Sequence, residues 1–481
     1  MFGFDSVAST LDGEVLVSAK MQAAIDKWWK MFENRPPWVS EEDVPTISLP
    51  SAIAGEIARL VTVEAESELT GSPRAEYLNG PWQEMMGDLR KQMEFAAAGG
   101  HLVFKPYVDA NGLTFDFVKA GRFIPTTYSG RGGITGGVFV ERLRRGRVWY
   151  TRLERHEMTP AGYIITNRAF SSGEETQLGK EIPLTQVPEW AELAPELTIY
   201  YKTVDAGGQE GMSLLEYPLF AVFNLPMANT IDPDSPLGPS IYSRAAGPIE
   251  EADRQYGRTL WEYEGGELAV DASAGALRAD KNGRKDPGTG RPVMDMPHGR
   301  ERLFRELNID KGTGGDLYEV FTPTLRDGSL FNGLDKLLKR IEFNCYLSYG
   351  TLSDPQSVEK TAEEIKSSKQ RSYSAVCDIQ GALETTLRRV AWIMDFYASL
   401  YGLAPDGEVT PTFVWGDAIT VDLDREREQM RQDCRDGAAQ WWEYRMKFYG
   451  ETEEEAKAMV AAGKEDEKDD DDLMGFGSPK R

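Results

Sequence analysis

Tyr349-Gly350-Thr351-Leu352-Ser353-Asp354-Pro355-Gln356-Ser357-Val358-Glu359-Lys360-Thr361-Ala362-Glu363-Glu364 is the stretch on which the reading of this chain turns. Upstream of it, Leu334, Leu337, Leu338, Ile341 and Cys345 share one side of a helix over 333–349 that stops at Gly350. Downstream, Thr361-Ala362-Glu363-Glu364 has capping-box form, in which a Thr hydroxyl accepts from a free N–H and a Glu reaches back. Val376, Ile379, Leu383, Leu387, Val390, Met394 and Tyr397 then recur every three or four residues up to Gly402. At about 1.5 Å per residue that helix is on the order of 60 Å long. The linker 351–360 is longer than a tight turn needs and mostly polar, which suits a loop rather than core.

Working outward, helices are expected over 15–33, 50–66 and 81–97, the last with Pro81 in its first turn and Gly99-Gly100 at its end. The period then changes to two: His101–Val108, Leu113–Val118, Val138–Leu143 and Val148–Leu153 read as strands, with more near 162–166 and 197–203. Asp109-Ala110-Asn111-Gly112 is a hairpin turn. The glycines Gly130, Gly132, Gly133, Gly136 and Gly137 precede a strand, so they read as a mobile β loop rather than a phosphate cradle. A second helical stretch follows Gly238-Pro239-Ser240. Gly247-Pro248 starts or kinks it, Ile249, Ala252, Tyr256, Leu260 and Tyr263 lie at helical spacing, and Gly265-Gly266 ends it. Pro411–Trp415 reads as a lone strand, with short helices near 424–436, 438–448 and 452–462.

The fold class is α+β, and 481 residues imply more than one domain. Net charge is −24, which excludes a surface that grips DNA phosphates throughout. Residues 271–306 break that pattern: eight cations, among them Arg278, Lys281, Arg284, Lys285 and Arg291, face six acids in a Gly- and Pro-rich, loop-rich insert. The acidic run within 464–481 reads as a solvated, disordered tail. Cys345, Cys377 and Cys434 are far apart and odd in number, fitting reduced thiols. No secretory signal or membrane-length apolar run is visible. His101, His156 and His298 are scattered, no zinc spacing or P-loop occurs, and no acid pair stands out. No catalytic residue, metal site or cofactor is therefore expected.

Three strings, in order along the chain, carry a family resemblance. Residues 349–373 resemble the tunnel-loop and long-helix signature of siphophage portal proteins, a Gly-Thr-x-Ser turn followed by Lys-Thr-Ala-x-Glu-Ile or -Val. Asn229-Thr230-Ile231-Asp232-Pro233-Asp234-Ser235-Pro236-Leu237-Gly238-Pro239-Ser240 resembles the segment leading into that family's first stem helix. Glu443–Thr452 is similar to its C-terminal crown region. Asp354-Pro355-Gln356 departs from the more glycine-rich or aromatic loop of the family.

The resemblance implies a portal fold with a wing over 1–238, stem helices over 239–266 and 331–350, a clip over 267–330, a tunnel loop over 351–360, a long wing helix and strand over 361–421, and a crown over 422–463. It implies a ring of about twelve copies at the capsid vertex of a virion, assembled in the host cytoplasm, with double-stranded DNA passing through the channel during packaging and exit. The clip would face the large terminase and later the head–tail adaptor, and the wing the major capsid and scaffolding proteins. DNA-facing residues would be the loop 351–360 with Lys366 and Lys369. The other readings are a different phage head or adaptor protein, which is usually shorter and lacks paired stem helices, and a large acidic enzyme, for which no motif speaks.

Overall fold

The computed structural model describes residues 15–39, 44–130, 133–204, 210–213, 215–266, 269–273, 304–307, 318–321, 324–354, 362–415, 423–435, 437–449 and 451–461, with Val7, Thr10, Lys285, Pro287, Gly288 and Gly290. The chain divides into two units, 1–415 and 416–481.

In the first unit, α1 (Ala19–Phe32) starts where the Ser18 hydroxyl accepts from Met21 N–H. Helix α2 (Leu49–Thr62) stops four residues before the expected end, because Glu66–Thr70 is a strand, β1. Helix α3 (Pro73–Gly99) begins eight residues earlier than expected: Ser72 caps it, Pro73 occupies the first turn, and Pro81 lies inside the helix. A proline at the first turn gives up an N–H that has no partner there, which is why Ser72-Pro73 is the stronger start.

The β region follows: β2 (His101–Asp109), β3 (Gly112–Lys119), β4 (Phe123–Ser129), β5 (Gly133–Arg145), β6 (Val148–Thr159), β7 (Gly162–Ser172), β8 (Lys180–Ile182), β9 (Glu196–Ile199), β10 (Tyr201–Val204), β11 (Glu210–Ser213) and β12 (Ala221–Asn224). One sheet has the order β12-β2-β3; a larger one runs β4-β5-β6-β7-β8, with β9 also on β7. The Asp109–Gly112 hairpin forms as expected, with Gly112 at φ 121° and Asp109 accepting from Asn111 N–H at 2.7 Å. The glycines read as a mobile loop are a correction: Gly133, Gly136 and Gly137 belong to β5, while 131–132 lie outside the described residues. A Cβ at Gly137 would sit 2.4 Å from the Phe123 ring, and one at Gly136 2.4 Å from the Thr127 hydroxyl, so close strand packing requires these two glycines.

Helix α4 (Ala246–Gly265) and helix α5 (Asp327–Asn344) flank a small sheet of β13 (Ala269–Ser273), β14 (Phe304–Leu307) and β15 (Tyr318–Phe321), with β13 in the centre. Helix α5 starts six residues before, and ends five before, the expected 333–349 span. Helix α6 (Ala362–Tyr401) has 40 residues, and the seven apolar positions read from the sequence are all buried in it. Residue Thr361 and its capping box lie outside the described residues. The strand expected to stand alone, β16 (Thr410–Val414), is paired antiparallel with β1, from Glu66↔Val414 to Thr70↔Thr410. The second unit contains α7 (Leu423–Arg435), α8 (Trp441–Tyr449) and a helix over 453–461. The tail 464–481 lies outside the described residues.

The two sheets are joined by a buried polar chain. Lys105 Nζ on β2 donates to both carboxylate oxygens of Glu154 on β6, at 2.8 and 2.9 Å. Glu154 also accepts from Arg152 at 2.7 Å and bonds His156 Nε2 at 2.6 Å. Leu219 N–H donates to the Tyr163 hydroxyl at 3.0 Å, and that hydroxyl lies 2.8 Å from His156 Nδ1. The Tyr163 proton is therefore directed at Nδ1, which leaves the Nε2–H of a neutral imidazole to donate to Glu154. Phe139 and Phe220 pack against the histidine ring, and Phe123 packs against both of them.

Two of the three histidines are thus buried. Burial pushes His156 down against the opposing pull of Glu154, and burial lowers His101 to about 3. A histidine lowered on folding contributes stability above its unfolded value near 6.5, and loses it as pH falls toward the folded value. Thermal stability should therefore fall between pH 7 and 5, with a slope of up to about 1.4 kcal/mol per pH unit per histidine. His156→Gln should flatten that dependence measurably in thermal melts at several pH values; an unchanged slope would refute the assignment.

Candidate functional site

The element that stands out from the α/β core is the antiparallel pair α4–α5. Its root is built by the Asn229–Ser240 string. Asn229 Oδ1 accepts from Ile231 and Asp232 N–H at 3.0 and 3.1 Å, and its Nδ2 donates to Leu237 O at 3.2 Å. Asp232 accepts from Ser18 Oγ at 2.7 Å, tying the turn to the cap of α1. Gly238 faces Gly100, where φ is +89° and a Cβ would lie 2.2 Å from Gly238 O. These contacts seat the chain before α4 begins. Further along, the buried Asp253 accepts from Trp38 Nε1 at 2.8 Å and from Ile47 N–H at 3.0 Å. Burial pushes its carboxyl up, and those donors pull against it.

The two helices pack antiparallel along their length. Ala252 and Gly257 of α4 are buried, and Gln255 donates to Leu330 O at 3.2 Å beside Gly333. At the far end, Glu262 accepts from the Arg326 backbone N–H at 3.1 Å and grips its guanidinium at 3.1 and 2.7 Å. That carboxylate caps α5 from the neighbouring helix, and its pKa is held down to about 2 by the Arg326 side chain first and backbone second. A 20-residue helix puts this end about 30 Å from the root. Beyond it lies the β13–β15 sheet. On the outside of the pair, Trp261 is 68% exposed and Phe331 47%, with Leu260, Tyr263 and Leu325 beside them.

The loop after α5 begins with a clamp. Glu342 is fully buried, and its Oε1 accepts from the backbone N–H groups of Gly350, Leu352 and Ser353 at 3.1, 2.6 and 2.9 Å. Its Oε2 accepts from Ser353 Oγ at 2.9 Å. Asp354 N–H donates to Asp335 Oδ1 at 3.1 Å, so the chain doubles back along α5. Arg371 on α6 lies over the Phe343 and Tyr349 rings at 4.6 and 5.2 Å, and donates to Leu347 O at 3.3 Å.

Of the residues read as channel-lining, Thr351 and Asp354 are exposed, Leu352 is half-buried and Ser353 is buried. The linker was expected to form little core; of its first four positions only Ser353 is buried, held by the Glu342 carboxylate. Pro355, Gln356, Ser357, Val358, Glu359 and Lys360 lie outside the described residues. Lys366 lies on α6, and Lys369 is exposed there. Of the basic insert, Lys285 is described and exposed, while Arg278, Lys281, Arg284 and Arg291 lie outside the described residues. Glu342 was missed because its partners are backbone groups, which leave no mark in side-chain patterns. Among the described residues no cluster of His, Cys, Asp or Glu could hold a metal ion, and no helix is long and apolar enough to cross a membrane.

No family model matches the chain. No curated protein matches it either. Among solved structures, a chain from the neck of a native GTA particle computed with C12 symmetry is similar at 11% identity and a TM-score of 0.42, over 90% of this chain and 94% of that one.

Removal of the clamp gives a direct test. Hydrogen bonds to a charged group contribute about 1.5–3 kcal/mol each, and orphaned buried donors add to the loss. Glu342→Ala should therefore cost roughly 3 kcal/mol or more of local stability, and Glu342→Gln less. Amide hydrogen exchange read on a peptide spanning 346–354 should accelerate in that order; protection equal to that of the parent chain would refute the clamp.

Proposed function

We propose that this chain is one subunit of a phage portal ring, the channel through which double-stranded DNA enters the capsid and later leaves it. The observation that carries the proposal is the α4–α5 pair, a helical hairpin with a small sheet at its far end and aromatic side chains on its outer surface. The sequence resemblance falls on the same elements: the Asn229–Ser240 string seats α4, and the 349–373 string runs from the end of α5 into α6.

On this reading the helix pair is the stem, and its exposed Trp261 and Phe331 pack against neighbouring copies. Residues 267–330 form the clip that meets the large terminase and then the head–tail adaptor. The loop 351–360 faces DNA, anchored by Glu342 on its α5 side. The protein acts by shape and charge rather than by catalysis. The acidity of the chain suits a conduit, since strong phosphate contacts along the path would hold DNA that has to slide.

Electron microscopy of the purified full chain tests this. Rings with a central channel are expected, and a monodisperse monomer at micromolar concentration would overturn the proposal. Trp261→Asp together with Phe331→Asp should shift the population to monomers with unchanged circular dichroism. Replacing 355–360 by an equal length of Gly and Ser should leave rings and melting intact but reduce nuclease-protected DNA per particle. Normal packaging with normal rings would remove the loop from the mechanism.

A further inference from the structure

The β5–β6 hairpin carries a feature that the portal reading does not use. Arg142, Arg144, Arg145 and Arg147 fall within six residues of a chain whose net charge is −24. The two-residue turn has Gly146 at φ +61°, the geometry of a hairpin with glycine at its first central position, and it places Arg147 in the tip itself and Arg145 at the end of β5.

Arg144 stands directly opposite Trp149 in the register, and the guanidinium groups of Arg142 and Arg144 lie 4.4 and 5.3 Å from the Trp149 ring centre. The indole thus meets two guanidinium groups. Arg142 reaches Glu175, and Arg145 pairs with Glu189. Arg144 and Arg147 are exposed and have no carboxylate partner among the described residues. The positive surface continues inward. Burial pushes Arg142 down, Glu175 pulls against that and Arg122 adds to it, while Lys119 is pushed down by burial first and then by Arg122 and Lys91. Glu175 and Glu189 neutralise Arg142 and Arg145, which leaves Arg144 and Arg147 to meet a polyanion.

We propose that this arginine face of the β5–β6 hairpin binds the phosphate backbone of double-stranded DNA without reading its sequence. Planar guanidinium forks match phosphate oxygens in pairs, which favours phosphate over a diffuse acidic surface. Arg142 is 14% exposed and held by Glu175, so the phosphate contacts fall to the exposed Arg144 and Arg147. The net acidity of the chain does not forbid this, because charges farther than about 8 Å are largely screened at physiological salt.

The test is a fluorescence-anisotropy titration of a short duplex of arbitrary sequence with the full chain, at salt between about 50 and 200 mM. R144E/R147E should bind at least about tenfold more weakly, with a salt slope smaller by about two, since each phosphate contact contributes about 0.9 to it. K20E/R35E makes the same change in net charge at two other exposed sites and should stay within about twofold of the parent chain. Parent-like affinity of R144E/R147E, or an equal loss in K20E/R35E, would overturn the proposal. So would binding of a peptide of residues 464–481 in place of DNA, which would assign the face to the acidic run of this chain. The titration reads the same face whether or not rings form, so its failure and that of the portal reading are separable.

Discussion

A 40-residue helix cannot stand in water on its own apolar stripe, and most of the first unit is arranged to cover that of α6. Val376, Ile379, Leu383, Leu387, Val390, Met394 and Tyr397 are each buried. Burying one such side chain contributes about 1.5–3 kcal/mol. The covering comes from β2 and β12 of the smaller sheet, from α2 and α3, and from β16. The stripe therefore dictates which segments, distant in sequence, must meet. Gln380 Nε2 donates to Val61 O at 3.1 Å, fixing the end of α2 against the middle of α6. The first turns of α6, by contrast, are polar and run toward the loop that follows α5, so one rigid element serves both the core and the helix pair.

Where the packing ends, buried polar groups hold the joints. Arg74, 3% exposed in the first turn of α3, donates to Pro405 O at 2.8 Å, Ala404 O at 3.1 Å and Asp395 Oδ1 at 2.8 Å, and pairs with Asp406. It ties the start of α3 to the chain leaving α6. Glu154, Asp253 and Glu342 do the same work between the sheets, between α4 and the segment before α2, and at the loop after α5. A buried charge is costly unless each lone pair or proton is satisfied, so such joints tolerate little displacement. They specify geometry more than they add net stability.

This division explains what was legible in the sequence. Periodicity disclosed α6, the β region with its Asp109–Gly112 turn, and the existence of α4 and α5, because apolar spacing is a local signal. Element ends were read less well, since they depend on caps. Ser72-Pro73 was a better helix start than Pro81, and α5 begins at Asp327, before its apolar face does. Pairing of β1 with β16 was invisible, because 340 residues separate Thr70 from Thr410 and neither strand has a strong pattern of its own. At the candidate site, the helix boundaries of the loop were readable within a few residues, whereas the Glu342 clamp was not. The run from Arg142 to Arg147 lay in plain view, but charge counts over the whole chain hid it.

The α4–α5 pair grades from root to tip. At the root, Ile249, Ala252, Asp253, Ile341, Glu342, Cys345 and Leu347 are buried. Toward the tip the buried set thins, and the contact passes to Gly257, Thr259 and the Glu262–Arg326 pair, whose arginine is largely exposed. Leu260 and Trp261 are exposed there, while the half-exposed rings of Tyr263 and Phe331 lie 6.4 Å apart and span the two helices. Two helices cannot bury an outward face by adjusting their own crossing. The root fixes where the tip goes, and among the described residues Trp261 at that tip stays 68% exposed.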